Sequence, residues 1–584
     1  MGEKLPVDSA SLAQLFAQLS HEQFRQTPEL ATLFGFDIGE NADLRGRIAD
    51  ASLSGRDAAR AAIRDQLRRL EAFPRQDLGE SDRMSLDVVQ YARRAAAEMM
   101  EFRFGSDMMT LHHSPYAVSQ LHGAYQLMST ILAELQPVRD RQDAEWYLSR
   151  LAAFGERIDD ETERVRHDAA LGVAAPDFIL DLTLAKLRRA LAPAEQPTVL
   201  SALAKRVAAL GLGGTYLSDA GKIYGETVLP ALRRQFEALE RQRAGAAHDA
   251  GCWRFEEGRA FYEAALRFAT TTRLSPGEVH AFGVEQANAI ASRLDGLLRR
   301  QGMTQGTIGE RLAALARDPA QIFPDTDAGR EQIIAYGNAC LTTVRARLPK
   351  VFHRLPPCDF EVRRMVAQVE AGGPPAAAAA PAADGSRPGV VYLNLHDTAK
   401  VPRYSIPAMI HHEALPGHQL EGGLSLTNRG VPPIRRTLLF SGFGEGWALY
   451  AEQLADELGV YQDDPFGQIG YLQFQLFRAS RCVVDTGIHA MGWSRERAVR
   501  YLVEQDGDPA GLAASEVDRY CVMIGQSCSY KLGQAAFVQL RDKAKATLGE
   551  RFNIKAFHEA VLSNGHLPLD ILRVEGDEWI ASLS

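Results

Sequence analysis

The sequence is poor in what several protein classes require. Its 584 residues include only six cysteines (Cys252, Cys340, Cys358, Cys482, Cys521 and Cys528), and no two form a C-x-x-C pair. That excludes a disulfide framework and a thiolate zinc site, and leaves buried free thiols. Basic residues are outnumbered, 65 Lys and Arg against 74 Asp and Glu, for a net charge of -9. With no cationic surplus to neutralise phosphates, neither nucleic acid nor an anionic membrane is an expected partner. No apolar run is long enough to span a bilayer. The N-terminal "MGEKLPVDSASLAQLF" lacks the basic segment, apolar core and small-residue cleavage site of an export signal. The expected compartment is the cytoplasm, or the periplasm if an export signal has been removed. There is no G-x-S-x-G elbow, and "GLGGTY" (Gly211–Tyr216) follows helical sequence rather than a strand, against a phosphate-binding loop.

What is present reads as a large helical body. The composition is 46% hydrophobic and 24% charged, ordinary for a globular protein with a sizeable core. Apolar residues recur at helical spacing in "SLDVVQYARRAAAEMMEFRF", "GVEQANAIASRLDGLLRR" and "QIIAYGNACLTTVRARL", among good helix formers. The Pro/Gly/Ala-rich stretch Glu370–Gly389 breaks this pattern and is expected to be a surface loop. It separates two segments of strand character, "DFEVRRMVAQV" and "GVVYLNL". The organisation predicted is a helical region over 1–350, a small sheet and loop over 351–404, and a helical catalytic region over 405–584, all one continuous fold. The fold class is mainly α, with a small β-sheet next to the helix that carries the chemistry.

That helix contains "HHEALPGH" (His411–His418), which opens like H-E-x-x-H but delivers its last histidine late. Histidines four apart on a helix lie ~40° apart and can share an ion, whereas His412 and His418 are separated by ~240° and ~9 Å of rise. His411 and His418 share a face but stand ~10.5 Å apart along the axis, too far to meet one ion. Pro416 supplies the remedy. It lacks an amide hydrogen, clashes with the carbonyl of His412, and pushes Leu415 out of helical geometry. Gly417 then permits backbone angles closed to other residues. The helix should break at Leu415–Gly417 and bring His418 back beside His412.

A second segment, "LLFSGFGEGWALYAEQLADEL", places Glu445 among Phe443, Trp447, Leu449 and Tyr450. A carboxylate there needs an ion partner or a metal. Two histidines and a glutamate from a later helix make a catalytic zinc set with one position left for water; the alternative is an ion pair from Glu445 to Arg478 or Arg481. Glu452, seven residues on and on the same face, is expected behind the ligands, holding them in orientation, and His411 is placed there too. Asn394 and the backbone of "VVYLNL" are candidates to hold an extended peptide by strand addition.

The runs "YLNLHDTAKVPRYSIPAMIHHEALPGHQLEG", "GFGEGWALYAEQL", "RCVVDTGIHAMGWSRERA" and "GQSCSYKLGQ" together resemble the bacterial family catalogued as domain of unknown function 885. The resemblance implies a helical fold of the zinc-oligopeptidase (gluzincin-like) kind. It also implies one Zn2+ per chain on His412, His418 and Glu445, with Glu413 as general base. The implied reaction is hydrolysis of a short peptide or small amide by metal-activated water. Tyr530, His489, Tyr520 and Arg481 are the candidates to stabilise the oxyanion, Tyr530 first because a phenol keeps its proton at neutral pH; Tyr520 is also a candidate substrate contact. A zinc hydrolase of a non-peptide amide or ester, and a catalytically silent helical zinc-binding protein, stay open as alternatives.

Overall fold

Helices carry most of the chain in the computed structural model, which describes residues 9–107, 112–192, 197–366, 370, 376–379, 381, 387–428 and 430–584. The chain divides into two compact units, residues 1–265 with 521–524, and residues 266–520 with 525–584. The helical stretch read from the sequence as 1–350 contributes to both.

The first unit is built on α1 (Arg141–Ala170), which packs against α2 (Leu229–Arg243). Asp140 starts α1 by accepting from the amide of Asp143 at 2.8 Å, satisfying a donor that the first turn leaves free. The fully buried Arg150 of this helix donates to the carbonyls of Leu44 (2.6 Å) and Arg47 (2.9 Å) and to Gln136 Oε1 (3.0 Å). A guanidinium survives burial there because its donors are used.

The second unit includes α3 (Pro276–Arg300), α4 (Asp327–Arg345), α5 (Ile406–Glu413), α6 (His418–Thr427), α7 (Ser441–Glu457), α8 (Pro465–Ala490), α9 (Ala510–Tyr520), α10 (Ser529–Leu548) and α11 (Ile554–Leu562). A capping box of Ser275 and Glu278, followed by Pro276, begins α3. Its small residues let α8 approach: a Cβ on Gly283 would lie 2.8 Å from the Cβ of Cys482. Contact is closer still between α7 and α10. A Cβ on Gly533 would stand 2.0 Å from the carbonyl oxygen of Gly442, and one on Gly446 would stand 2.4 Å from Cα of Gly533. Backbone meets backbone here, which only glycine allows.

Three strands of this unit form one sheet: β1 (Phe360–Arg364), β2 (Ala376–Ala379) and β3 (Gly389–Leu393), in the order β1-β3-β2. β3 runs parallel to β1, with Val362 opposite Val391, and antiparallel to β2, with Ala378 opposite Val391. Two expectations change. Within the stretch read as a surface loop, Ala376–Ala379 is a strand, because the ladder to β3 outweighs the weak β-propensity of alanine; residues 371–375, 380 and 382–386 of that stretch lie outside the described residues. And β3, the "GVVYL" segment, is the central strand with both edges paired, so no extended peptide can add to it. Asn338 of α4 closes the outer side of β1, exchanging hydrogen bonds with the carbonyl and amide of Val362 at 3.1 and 3.0 Å.

Candidate metal centre

The chain breaks where proline demands it. α5 ends at Glu413, α6 begins at His418, and the Leu415–Pro416 peptide between them is cis. Trp447 of α7 fixes the break by donating from Nε1 to the carbonyl of Pro416 at 3.0 Å. Gly417 is required for room rather than for a left-handed backbone: its φ is -78°, but a Cβ would fall 1.8 Å from the carbonyl oxygen of His412. The turn brings His418 to His412, with ring centroids 4.9 Å apart and planes near perpendicular at 88°.

Glu445, on α7, completes the group. Its Oε2 lies 3.3 Å from Nε2 of His418 and 3.6 Å from Nε2 of His412. The three donor atoms fall within 4.8 Å of one another. Tetrahedral zinc with ligands at ~2.0–2.1 Å places its donors roughly 3.3 Å apart, so the set fits one such ion. The other reading of Glu445, an ion pair to Arg478 or Arg481, is absent among the described residues; its ionic partners are the two imidazoles. Burial works to raise the Glu445 carboxyl, but the imidazoles of His412 and His418 hold it well below the usual carboxylate range. Burial likewise opposes charge on His412, yet Glu445 and Glu452 push it up to about 10.

Behind His412 stands Glu452, fully buried, accepting from His412 Nδ1 at 2.8 Å and from Gln475 Nε2 at 3.1 Å. A carboxylate on Nδ1 keeps the proton there, so that the nitrogen freed when the imidazolium gives up its other proton is Nε2, on the Glu445 side, the arrangement that orients histidine ligands. Glu413 is half-buried, and its carboxylate makes no hydrogen bond or ion pair to the described residues. Tyr530, at the start of α10, stacks on His412 with centroids 6.2 Å apart and planes at 18°.

Other sequence candidates lie elsewhere. His411 turns away from His418 and Glu445; its Nδ1 donates to the carbonyl of Leu415 at 3.1 Å, its ring meets Tyr461 edge-on, and burial pushes its pKa down to about 4. It braces the turn from below. His489 bonds the carbonyl of Tyr520 at 3.0 Å and is buried. Tyr520 donates to Glu516 at 2.9 Å and accepts from Arg481 Nε at 3.0 Å. Asn394 donates to the carbonyl of Glu370 at 2.8 Å beside the sheet. Sequence reasoning missed Gln475, which supports Glu452. It also missed Glu421, one turn after His418, which is buried and 3.2 Å from His566 Nε2. The i, i+3 spacing from His418 was the available signal for Glu421; Gln475 had none.

Comparison with known proteins bears on this arrangement. The family model for bacterial proteins of unknown function, domain of unknown function 885, matches residues 28–575. The chain belongs to that family. Its resemblance to domain of unknown function 885, carried by the motifs around His412, Glu445, Arg481 and Tyr530, thus extends over almost the whole sequence. Among solved structures, the chain is similar to "the putative lipoprotein from Colwellia psychrerythraea" at 30% identity and a TM-score of 0.92, covering 99% of this chain and 100% of that one. It shares its fold with "a putative lipoprotein of unknown function from Shewanella oneidensis", at 16% identity and a TM-score of 0.74 over 96% and 99% of the two chains. No curated protein matches in sequence. Among the described residues no helix is long and apolar enough to cross a membrane.

Proposed function

We propose that this member of the domain of unknown function 885 family is a zinc-dependent hydrolase that cleaves amide bonds of short peptides. The observation that carries the reading is the convergence of His412, His418 and Glu445, with Oε2 of Glu445 3.3 and 3.6 Å from the two Nε2 atoms. Zinc held there would supply Lewis acidity toward water and toward an amide carbonyl. The chain's own residues do the rest. Glu413, adjacent to a donor yet outside the donor set, accepts a proton from water and returns it to the leaving amine. Tyr530, stacked on His412 and only 8% exposed, donates from its phenol to the oxygen on which charge develops. Glu452 keeps the His412 ring turned so that Nε2 points toward Glu445. The helical body next to the β-sheet is read as a peptidase-like enclosure that admits short unstructured chains. For location, the lipoprotein description of the 30%-identical structure favours an exported, periplasmic protein over the cytoplasm.

Metal analysis and a peptide-library digest test the reading together. About one zinc per chain with peptide turnover is expected. Zinc without turnover on peptides, small amides or esters identifies a silent zinc-binding protein, turnover on non-peptide substrates alone moves the acyl specificity, and no zinc uptake at all sinks the proposal. Glu413→Gln should keep the zinc and lower kcat by ~10²-fold to ~10⁴-fold, the usual worth of general acid–base catalysis.

A further inference from the structure

Beyond Tyr530 the α8 helix presents a guanidinium with nothing to hold. Arg478 lies over the rings of Phe474, Phe477 and Tyr530, at 5.1, 5.2 and 5.2 Å from their centroids. It makes no hydrogen bond or ion pair to the described residues, and its Nε is buried without a partner. One turn on, Arg481 is 5% exposed and sits 4.8 Å over the same Tyr530 ring. Its Nε donates to Tyr520 Oη and its Nη2 to Glu516 at 2.8 Å, while Nη1 is buried with no partner. Arg519 shares Glu516 at 3.3 Å. Asp508 faces Arg478 and Arg481 without forming an ion pair to either. Glu516 is therefore the one carboxylate bonded to any of the three guanidinia among the described residues; Glu445, Glu452 and Asp508 act on Arg478 only through space.

Aromatic faces stack on a guanidinium but leave its in-plane donors unused. Arg478 Nε and Arg481 Nη1 are closed off, but Arg478 is only half-buried, and its Nη groups bond no described residue and stay within reach of an incoming group. The group that matches a planar fork of unbonded donors is a carboxylate. Tyr530 connects this cluster to the metal centre, since its ring contacts both arginines and stacks on His412.

We infer that Arg478, supported by Arg481, receives a carboxylate of the peptide substrate beside the candidate metal centre. The inference rests on the peptide-hydrolase reading for the identity of the carrier, and on the arginine geometry alone for the carboxylate. It makes the enzyme selective for peptides that end in a free carboxylate or bear an acidic side chain near the scissile bond.

The test uses the full chain with zinc chelated, so that an acid cannot simply ligate the ion. Three N-blocked tripeptides are titrated calorimetrically: one with a free C-terminal carboxylate, its C-terminal amide, and an amide carrying a glutamate side chain. A carboxylate-bearing peptide should bind about 10-fold tighter than the neutral amide, the worth of a charge-assisted hydrogen bond. Which of the two acids is preferred distinguishes a terminal carboxylate from a side chain. Arg478→Met should abolish the preference and leave amide binding unchanged. Arg478→Lys, which keeps the charge, should retain a few-fold preference and so separate lost charge from misfolding. Equal or no binding of all three peptides, or a preference that survives Arg478→Met, overturns the inference. Turnover is scored separately on the zinc-loaded chain: an intact carboxylate preference without cleavage of any peptide removes the hydrolase reading and leaves the carboxylate site standing.

Discussion

Glu452 shows how one side chain sets the behaviour of another. It is fully buried, and its two oxygens are taken by His412 Nδ1 and Gln475 Nε2. Gln475 also accepts from Lys531 Nζ at 3.0 Å, so an amide and an ammonium line up behind Glu452 and His412. Replacing Glu452 by glutamine removes the charge and turns one acceptor into a donor facing a donor. Zinc affinity should drop ~10-fold to ~100-fold, as it does when a partner behind a metal ligand is lost. Competition against a chelator of known affinity measures it, and unchanged affinity would release Glu452 from the orienting role. His411→Ala should behave in the opposite sense. With its bond to the Leu415 carbonyl gone the turn loosens and the melting temperature falls, but the three donors remain and zinc content stays near one per chain.

The pairing of α7 with α10 does the equivalent work for whole elements. α7 carries Glu445 and Glu452, α10 opens with Tyr530, and the two touch through Gly442, Gly446 and Gly533. Gly533→Ala forces a methyl group onto the Gly442 carbonyl, and overpacking of this kind typically costs ~1–3 kcal/mol. The helices must part, which moves Tyr530 off His412 while leaving α5, α6 and α7 together. The expected result is a lower melting temperature and reduced turnover with zinc retained; full activity in that variant would show that Tyr530 has no need of its place on His412. Here sequence and structure differ in what they reveal. Pro416 announces its break through its own missing amide hydrogen, and Glu445 stands out as a charge in an apolar run, so the donor set was legible residue by residue. The glycine contact was not, because each glycine is explained only by a chain segment some ninety residues away. Arg478 is a mixed case, since Phe474 and Phe477 stand beside it in the sequence whereas Tyr530 comes from another helix. The strand at Ala376–Ala379 was hidden because its partner, not its own composition, makes it a strand.

At the scale of the molecule, acid should be felt through histidines buried in neutral form. His558 of α11 is fully buried; Tyr450 Oη donates to its Nε2 at 2.9 Å, and its Nδ1 donates to the Val351 carbonyl at 2.8 Å. Burial pushes its pKa down to about 4, against ~6.5 in an unfolded chain. The unfolded state thus takes up a proton first. The contribution of His558 is present above pH ~6.5 and is lost as the pH falls toward 4, at about 1.4 kcal/mol per pH unit within that window. In metal-free protein the melting-temperature gap between wild type and His558→Gln should narrow across that interval, and a constant gap would contradict the assignment. A different time axis follows from where the donors lie along the chain. His412, His418 and Glu445 span only 34 residues on three helices, so an ion bound to them closes short loops and holds one neighbourhood. Ligand binding protects what it must keep folded in order to stay bound. Amide hydrogens in Ile406–Thr427 and Ser441–Glu457 should therefore exchange with deuterium more slowly when zinc is added, whereas those of Arg141–Ala170 in the first unit should keep their own clock.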